Sequence, residues 1–313
     1  MTTKKIFITG IAGFIGFHTA SKYAQLGYTV CGMDNFNSYY DVQLKRDRVK
    51  LLSAMGVSFY EADIRNSFST DFIIKSEQPD LVIHLAAMAG IRYSMDRPEM
   101  YIDNNINGTA VLIKACEDNN VSDVIYATTS SLMNGNPLPW NEEEKLGVQL
   151  SPYGYTKQTN ENQFNISKIP NAVALRFFTV YGPWGRPDMA LFDFTKNIIA
   201  GNPITLYNYG VMKRDFTYID DIVQGIVLVS SNMTPRDIYC IGYGEQVNLT
   251  DFVKEIENNL GISAIVTLAP KHPADAQETF SDTTKLKKLG YNPTTSISKG
   301  VTEFIEWYRE YYK

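Results

Sequence analysis

Through the first half of this 313-residue chain, short apolar, β-branched runs alternate with longer stretches whose apolar positions recur every three to four residues. The runs Lys5 to Thr9, Tyr28 to Met33, Val57 to Tyr60, Leu81 to Ala86, Val124 to Tyr126 and Ala172 to Phe178 have the length and composition of buried strands. Helical periodicity fills the intervals, to about Leu26 after the first run and from about Pro98 to Asn119 later. This alternation predicts a parallel sheet covered by helices on both faces, a doubly wound α/β domain. Past Phe178 the rhythm loosens into Gly182-Pro183-Trp184, a helix from about Ala190 to Ala200 and a short run from Ile204 to Tyr207. A smaller second lobe is expected there. No repeat or low-complexity linker separates the two, so the site is expected in the cleft between them.

The first strand runs into Gly10-Ile-Ala-Gly13-Phe-Ile-Gly16 and then a helix. In a strand–turn–helix unit, small residues let backbone N–H groups approach a pyrophosphate at the helix N-terminus. The second strand ends at Asp34, about 20 residues after the glycines, where a carboxylate grips a ribose 2′-hydroxyl. It would repel a 2′-phosphate, and neither Asn35 nor Phe36 supplies a cation, so NAD is favoured over NADP.

A second candidate site is Ser151-Pro-Tyr-Gly-Tyr-Thr-Lys157. Ser151 is a good N-cap and Pro152 suits the first helical turn. On such a helix Tyr153 and Lys157 share one face, about 5–6 Å apart at Cβ, while Tyr155 points away. The pair is also what many solvent-facing helices carry. Its functional reading is a phenol whose pKa, ordinarily ~10, is drawn toward working pH by the ammonium.

Composition narrows the partners. A net charge of −5 lacks the basic footprint of a nucleic-acid binder. Cys31, Cys116 and Cys240 are far apart in apolar segments, which argues against a disulfide framework and for a reducing compartment. His18, His84 and His272 have no metal-ligand spacing, so no metal is expected, and His84, inside a strand, is expected to be structural. Met1 leads through Lys4 and Lys5 directly into a strand, and no apolar run reaches ~18 residues. A cytoplasmic protein without a membrane partner is expected.

Together, Gly10, Gly13, Gly16 and the Tyr153/Lys157 pair resemble the extended short-chain dehydrogenase/reductase family, the NAD-dependent epimerases and dehydratases. That family places a catalytic serine or threonine just after the strand preceding the tyrosine helix, a position matched here by Thr129. The closer resemblance, over nearly the whole chain, is to the UDP-glucuronate 4-epimerase branch. It rests on Asp34-Asn-Phe-Asn-Ser-Tyr-Tyr-Asp41, His84-Leu-Ala-Ala-Met-Ala-Gly-Ile-Arg-Tyr-Ser94, Arg176-Phe-Phe-Thr-Val-Tyr-Gly-Pro-Trp-Gly-Arg-Pro-Asp-Met189 and Arg214-Asp-Phe-Thr-Tyr-Ile-Asp-Asp221. Three departures stand out: Met88 for the usual glutamine, Met133-Asn134 for Tyr-Gly, and Pro273-Ala274-Asp275 for Pro-Gly-Asp, a change expected to reshape a tight turn.

The resemblance implies a Rossmann domain over residues 1–179 with a return segment at 216–240, and a substrate-binding lobe over 180–215 and 241–313. It implies NAD held by Gly10, Gly13, Phe14, Ile15, Gly16, Asp34, Asn35, Asp63, Ile64, Ala86 and Lys157, and a UDP-sugar held by Arg92, Ser130, Ser131, Thr179, Arg186, Arg214 and Asp275. Tyr153 would be the base, Lys157 its activator and Thr129 a partner of the sugar 4-oxygen. A homodimer through the Pro98–Asn119 and Tyr153 helices is expected. The alternatives are a 4-epimerase of a neutral or N-acetylated UDP-hexose, a UDP-glucuronate decarboxylase, and a non-catalytic NAD-binding module. Dehydratases need Asp-Glu after the threonine and decarboxylases a nearby glutamate, where this chain has Ser130-Ser131.

Overall fold

The first six strands, β1 (Lys5–Thr9), β2 (Thr29–Asp34), β3 (Ser58–Glu61), β4 (Leu81–His84), β5 (Asp123–Thr129) and β6 (Asn171–Phe177), form the expected parallel sheet. The structure is a computed structural model describing residues 4–313; Met1 to Thr3, where the expectation about the chain start begins, lie outside the described residues. The strands alternate with α1 (Phe14–Gln25), α2 (Val42–Ala54), α3 (Ser67–Glu77), α4 (Ile91–Asp96), α5 (Pro98–Tyr101), α6 (Gly108–Asp118) and α7 (Pro152–Ile166). The rest comprises β7 (Thr179–Tyr181), α8 (Ala190–Ile199), β8 (Ile204–Tyr207), β9 (Lys213–Arg214), β10 (Phe216–Tyr218), α9 (Ile219–Ser230), β11 (Arg236–Ile241), β12 (Val247–Asn248), α10 (Leu249–Leu260), β13 (Val266–Ala269), α11 (Thr284–Lys287) and α12 (Ile297–Tyr311).

The sheet order is β3-β2-β1-β4-β5-β6-β11, with every pairing parallel. Phe7, Ile8, Val82, Ile83, Val124, Ile125, Val173 and Leu175 are fully buried, as apolar runs covered on both faces must be. Each such side chain contributes about 1.5–3 kcal/mol. Strand order reverses between β1 and β4, and that switch point opens a crevice at the carboxyl ends of the strands. The remaining strands pair outside the sheet, β10 with β7, β12 with β9 and β13 with β8.

Two local features aim the crevice. The Ser151 hydroxyl accepts from Gly154 N at 3.1 Å and caps α7, with Pro152 in the first turn. Behind α7, Glu161 takes two hydrogen bonds from Arg176 at 3.0 and 2.9 Å and one from Thr128 at 3.0 Å, tying the helix to the ends of β5 and β6. The pair is buried, so its specificity rests on every lone pair being met.

The stretch from Pro98 is not one α-helix. Ile102–Asn107 is a π-helical turn between α5 and α6. The wider turn points Asn105 inward, where its amide accepts from Met88 N at 2.8 Å and donates to Met88 O and Thr156 Oγ1, both at 3.0 Å. Polar residues inside a helix mark such a turn only once their partners are known.

Candidate active site

The crevice is a cavity of about 920 Å³. Every residue assigned to a site in the sequence lines it except Asp63.

At one end the wall is mostly backbone. Gly10 has φ +72°, and a Cβ there would sit 2.7 Å from Ala86 N; one on Gly16 would sit 2.1 Å from Gly10 O. Neither position accepts a side chain. Gly13 is the N-cap of α1 and no side chain caps the helix, so its first N–H groups face the cavity beside Phe14 and Ile15. Asp34, at the tip of β2, accepts from Phe36 N at 2.9 Å, and burial raises its pKa against the pull of Lys45. A glycine cradle, a helix N-terminus with no side-chain cap and a carboxylate at the ribose position together fit a dinucleotide. Asp63 is turned outward to Arg65 and touches the cavity only through Asn35, whose amide it accepts at 2.9 Å. Lys45 was missed: it lies on α2, donates to Asn37 O at 2.6 Å and sits over the Tyr40 ring, facing Asp34. No motif spacing signals it. His84 bridges Thr9 Oγ1 at 2.7 Å and Thr109 Oγ1 at 2.9 Å, and burial lowers its pKa to about 3; it is a neutral strut.

The other end is built from side chains. Thr129 closes β5, and its hydroxyl accepts from Ser131 N at 3.2 Å and donates to Ser131 Oγ at 3.1 Å. It also faces the Tyr153 phenol, and Ser130 lies beside it in the wall. Tyr155 is exposed, as the helical spacing predicts.

The electrostatics differ from the expected lysine activation. Burial raises the Tyr153 pKa, and what pulls it back is the Arg186 guanidinium and the Thr129 hydroxyl. Lys157 instead donates to Ala127 O at 3.0 Å, and burial lowers its own pKa to about 8. An i,i+4 spacing places two side chains on one face without directing the ammonium at the phenol, and here a carbonyl claims it.

Arg186 is itself matched. Its guanidinium makes a two-pronged contact with Asp188 and lies 5.8 Å from the Tyr39 ring, whose hydroxyl donates to Asp188 at 3.1 Å. Burial favours the neutral acid at Asp188, but Arg186 outweighs it and the carboxyl titrates below its usual range. Sequence reasoning missed Asp188 and Tyr39, although both fall within the quoted runs. At the mouth, Arg92 pairs with Asp275 at 2.7 Å and stacks 3.7 Å over Tyr207. Arg214 donates to the carbonyls of Lys213, Ala276 and Gln277. Thr179 also lines the cavity.

Of the departures, Met88 and Met133 are buried, Met133 packing with Trp140, Phe178 and Cys240. Ala274 needs no left-handed backbone, so the 273–275 turn forms without glycine, Asp275 N donating to His272 O at 3.0 Å. Among the described residues there is no cluster that could hold a metal ion and no helix long and apolar enough to cross a membrane.

Known proteins resemble the chain over nearly its whole length. Protein CapI of Staphylococcus aureus is 40% identical, covering 99% of this chain and 99% of its own length. A probable UDP-glucuronate 4-epimerase of Rhizobium meliloti is 36% identical over 99% and 98%. UDP-glucuronic acid 4-epimerase from Bacillus cereus, solved in complex with UDP-glucuronic acid and NAD, matches with a TM-score of 0.91 and 32% identity, over 98% of this chain and 100% of that one. The profile of the NAD dependent epimerase/dehydratase family matches residues 6–242, about three-quarters of the chain. With its glycine cradle, its Asp34 and its Thr129–Tyr153–Lys157 wall, the chain belongs to that family.

Proposed function

We propose that the protein is an NAD-dependent UDP-sugar 4-epimerase that interconverts UDP-glucuronate and UDP-galacturonate. One observation carries the substrate: the cavity is lined by the hydroxyls of Thr129, which faces Tyr153, and of Ser130, Ser131 and Thr179. The likeness to the Bacillus cereus enzyme, bound to UDP-glucuronic acid and NAD, supports it.

Gly10, Gly13, Phe14, Ile15, Gly16, Asp34, Asn35, Ile64 and Ala86 would hold NAD, with Asp63 supporting Asn35. Bound NAD supplies reversible hydride transfer at a sugar carbinol carbon. Tyr153 takes the proton from the 4-hydroxyl, a step worth about 10²–10⁴-fold, and later returns it. Thr129 orients the 4-oxygen, and Lys157 offers its ammonium to a ribose hydroxyl. Arg214 receives the UDP diphosphate, with Arg92 near it at the mouth, where Asp275 holds the Arg92 guanidinium.

A 4-keto uronate is a β-keto acid and loses CO2 if its carboxylate swings free. Hydrogen bonds to a charged group contribute about 1.5–3 kcal/mol each, and Ser130, Ser131 and Thr179 offer hydroxyls for that purpose beside the Thr129 that orients the 4-oxygen. Arg186, oriented by Asp188, adds a further directed donor at the cavity wall.

The proposed division is a nucleotide lobe of residues 1–179 with 216–240, β11 completing its sheet, and a sugar lobe from the remainder. The proposed assembly is a homodimer through the 98–119 stretch and α7, where Ile102 of the π-helical turn and Tyr155 and Ile166 of α7 are exposed; sedimentation would read it. Three buried, unpaired cysteines suit the proposed cytoplasmic location. The substrate test is incubation with UDP-glucuronate, UDP-glucose and UDP-N-acetylglucosamine, followed by NMR. UDP-galacturonate is expected from the first. Turnover of the neutral sugars alone would move the assignment to a hexose epimerase, and CO2 release to a decarboxylase.

A further inference from the structure

Arg48 on α2 is fully buried, yet no carboxylate is among its hydrogen-bond partners and it does not line the cavity. Its Nη1 donates to Ala12 O, inside the glycine loop, and to the Tyr40 hydroxyl, both at 2.8 Å. Its Nη2 donates to Trp184 O at 2.5 Å and Gly185 O at 3.3 Å. His18 on α1 donates to the preceding carbonyl, Pro183 O, at 2.9 Å. Three consecutive carbonyls of one turn are thus captured from the two helices beside the nucleotide loop.

That turn leads directly to Arg186. Trp184 sits in it with φ +59°, a conformation that costs a non-glycine residue about 1–3 kcal/mol and persists only where its surroundings hold it. The Trp184 ring is wedged between Phe17 of α1 and Trp307 and Tyr311 of α12. Gly185 N closes the turn on Gly182 O at 3.1 Å. Burying a guanidinium with no carboxylate in hydrogen-bond contact is costly, and a fold that needed only to fill this space would use an apolar side chain.

We infer that Arg48, assisted by His18, is a positioning residue that bolts the 182–186 turn to the glycine loop and so sets the Arg186 guanidinium against Tyr153. This inference rests on the proposed 4-epimerase reading. The coupling runs from the loop that cradles the cofactor, through two carbonyls, to the cation that eases ionisation of the base. The groups facing Tyr153 are Arg186, the Thr129 hydroxyl, and Tyr101 at a ring separation of 6.2 Å; those around Arg48 are Asp34, Lys45, His18 and the Tyr40 and Tyr312 hydroxyls. Loosening Arg186 therefore leaves the phenol harder to ionise.

The test uses full-length Arg48→Met, Arg48→Lys and His18→Leu, read by hydrogen exchange, by the pH profile of kcat/KM for UDP-glucuronate and by melting temperature. Arg48→Met is expected to speed exchange of the 182–189 amides about tenfold, the equivalent of one lost hydrogen bond. Its acid limb should move up by about half a pH unit, a roughly threefold loss of kcat/KM on that limb, with kcat falling more than KM rises. Arg48→Lys should recover part of both effects. His18→Leu should produce the same changes in smaller size, and it judges the inference if Arg48→Met does not fold. A lowered melting temperature with exchange at 182–189 and the acid limb unchanged would overturn it, as would faster exchange without a limb shift. Failure of the unmodified protein to turn over UDP-glucuronate would sink the substrate reading instead. The exchange arm would still judge the bolt, and the limb would be read on whichever UDP-sugar is turned over.

Discussion

The two ends of the cavity are made of different material. The nucleotide end is shaped by main chain: Gly10 and Gly16 have no room for a Cβ, and the first N–H groups of α1 are left uncapped. The sugar end is shaped by side chains from β5, α7 and the turn before α8, and its charges are already partnered, Arg186 with Asp188 and Arg92 with Asp275. A wall of backbone is fixed by the fold itself, whereas a wall of paired side chains can be retuned one residue at a time. The first end should accordingly govern whether cofactor is held, and the second what is done to which sugar.

The largest expected effect separates the two. Tyr153→Phe should lose turnover by about 10²–10⁴-fold while NAD remains bound, measured as activity against cofactor content after gel filtration. Loss of NAD together with activity would mean that the ends are not separable. Gly10→Ala probes the opposite side: at φ +72°, with Ala86 N 2.7 Å from the new Cβ, strain of about 1–3 kcal/mol should weaken NAD binding roughly 5–150-fold. Normal affinity in that variant would remove the main-chain cradle from the account.

The middle of the scale is electrostatic. Burial raises the Tyr153 pKa and Arg186 opposes it, so kcat/KM should rise with pH through an acid limb that reports the phenol. Removing the cation in Arg186→Met leaves the pKa higher, and the limb should move toward higher pH. An unmoved limb would show that Arg186 does not tune the base. The smallest effect is expected for Thr179→Asn, which should weaken uronate use more than neutral-sugar use in kcat/KM; equal losses would argue against carboxylate recognition at that position.

The same contrast explains what could be read from the chain. The glycine loop, Asp34, the capped start of α7 and the runs that became β1, β4 and β8 are local patterns, and local patterns are legible. Even there β2 and β3 begin one residue late, since strand ends are set by pairing rather than by composition. The π-helical turn at Ile102–Asn107, the approach of Lys45 to Asp34 and the partition of charge around Tyr153 depend on segments far apart in sequence. The expectation that Lys157 activates Tyr153 took spacing for contact, and the Ala127 carbonyl holds that ammonium instead.

The central claim is that one site opens C4 of the uronate and closes it again without releasing the intermediate. It is tested most directly with UDP-glucuronate deuterated at C4. Proton and deuterium NMR should show UDP-galacturonate that keeps the label at C4 with its carboxyl group intact. Product that has lost the deuterium, or a pentose product accompanied by CO2, would contradict the account.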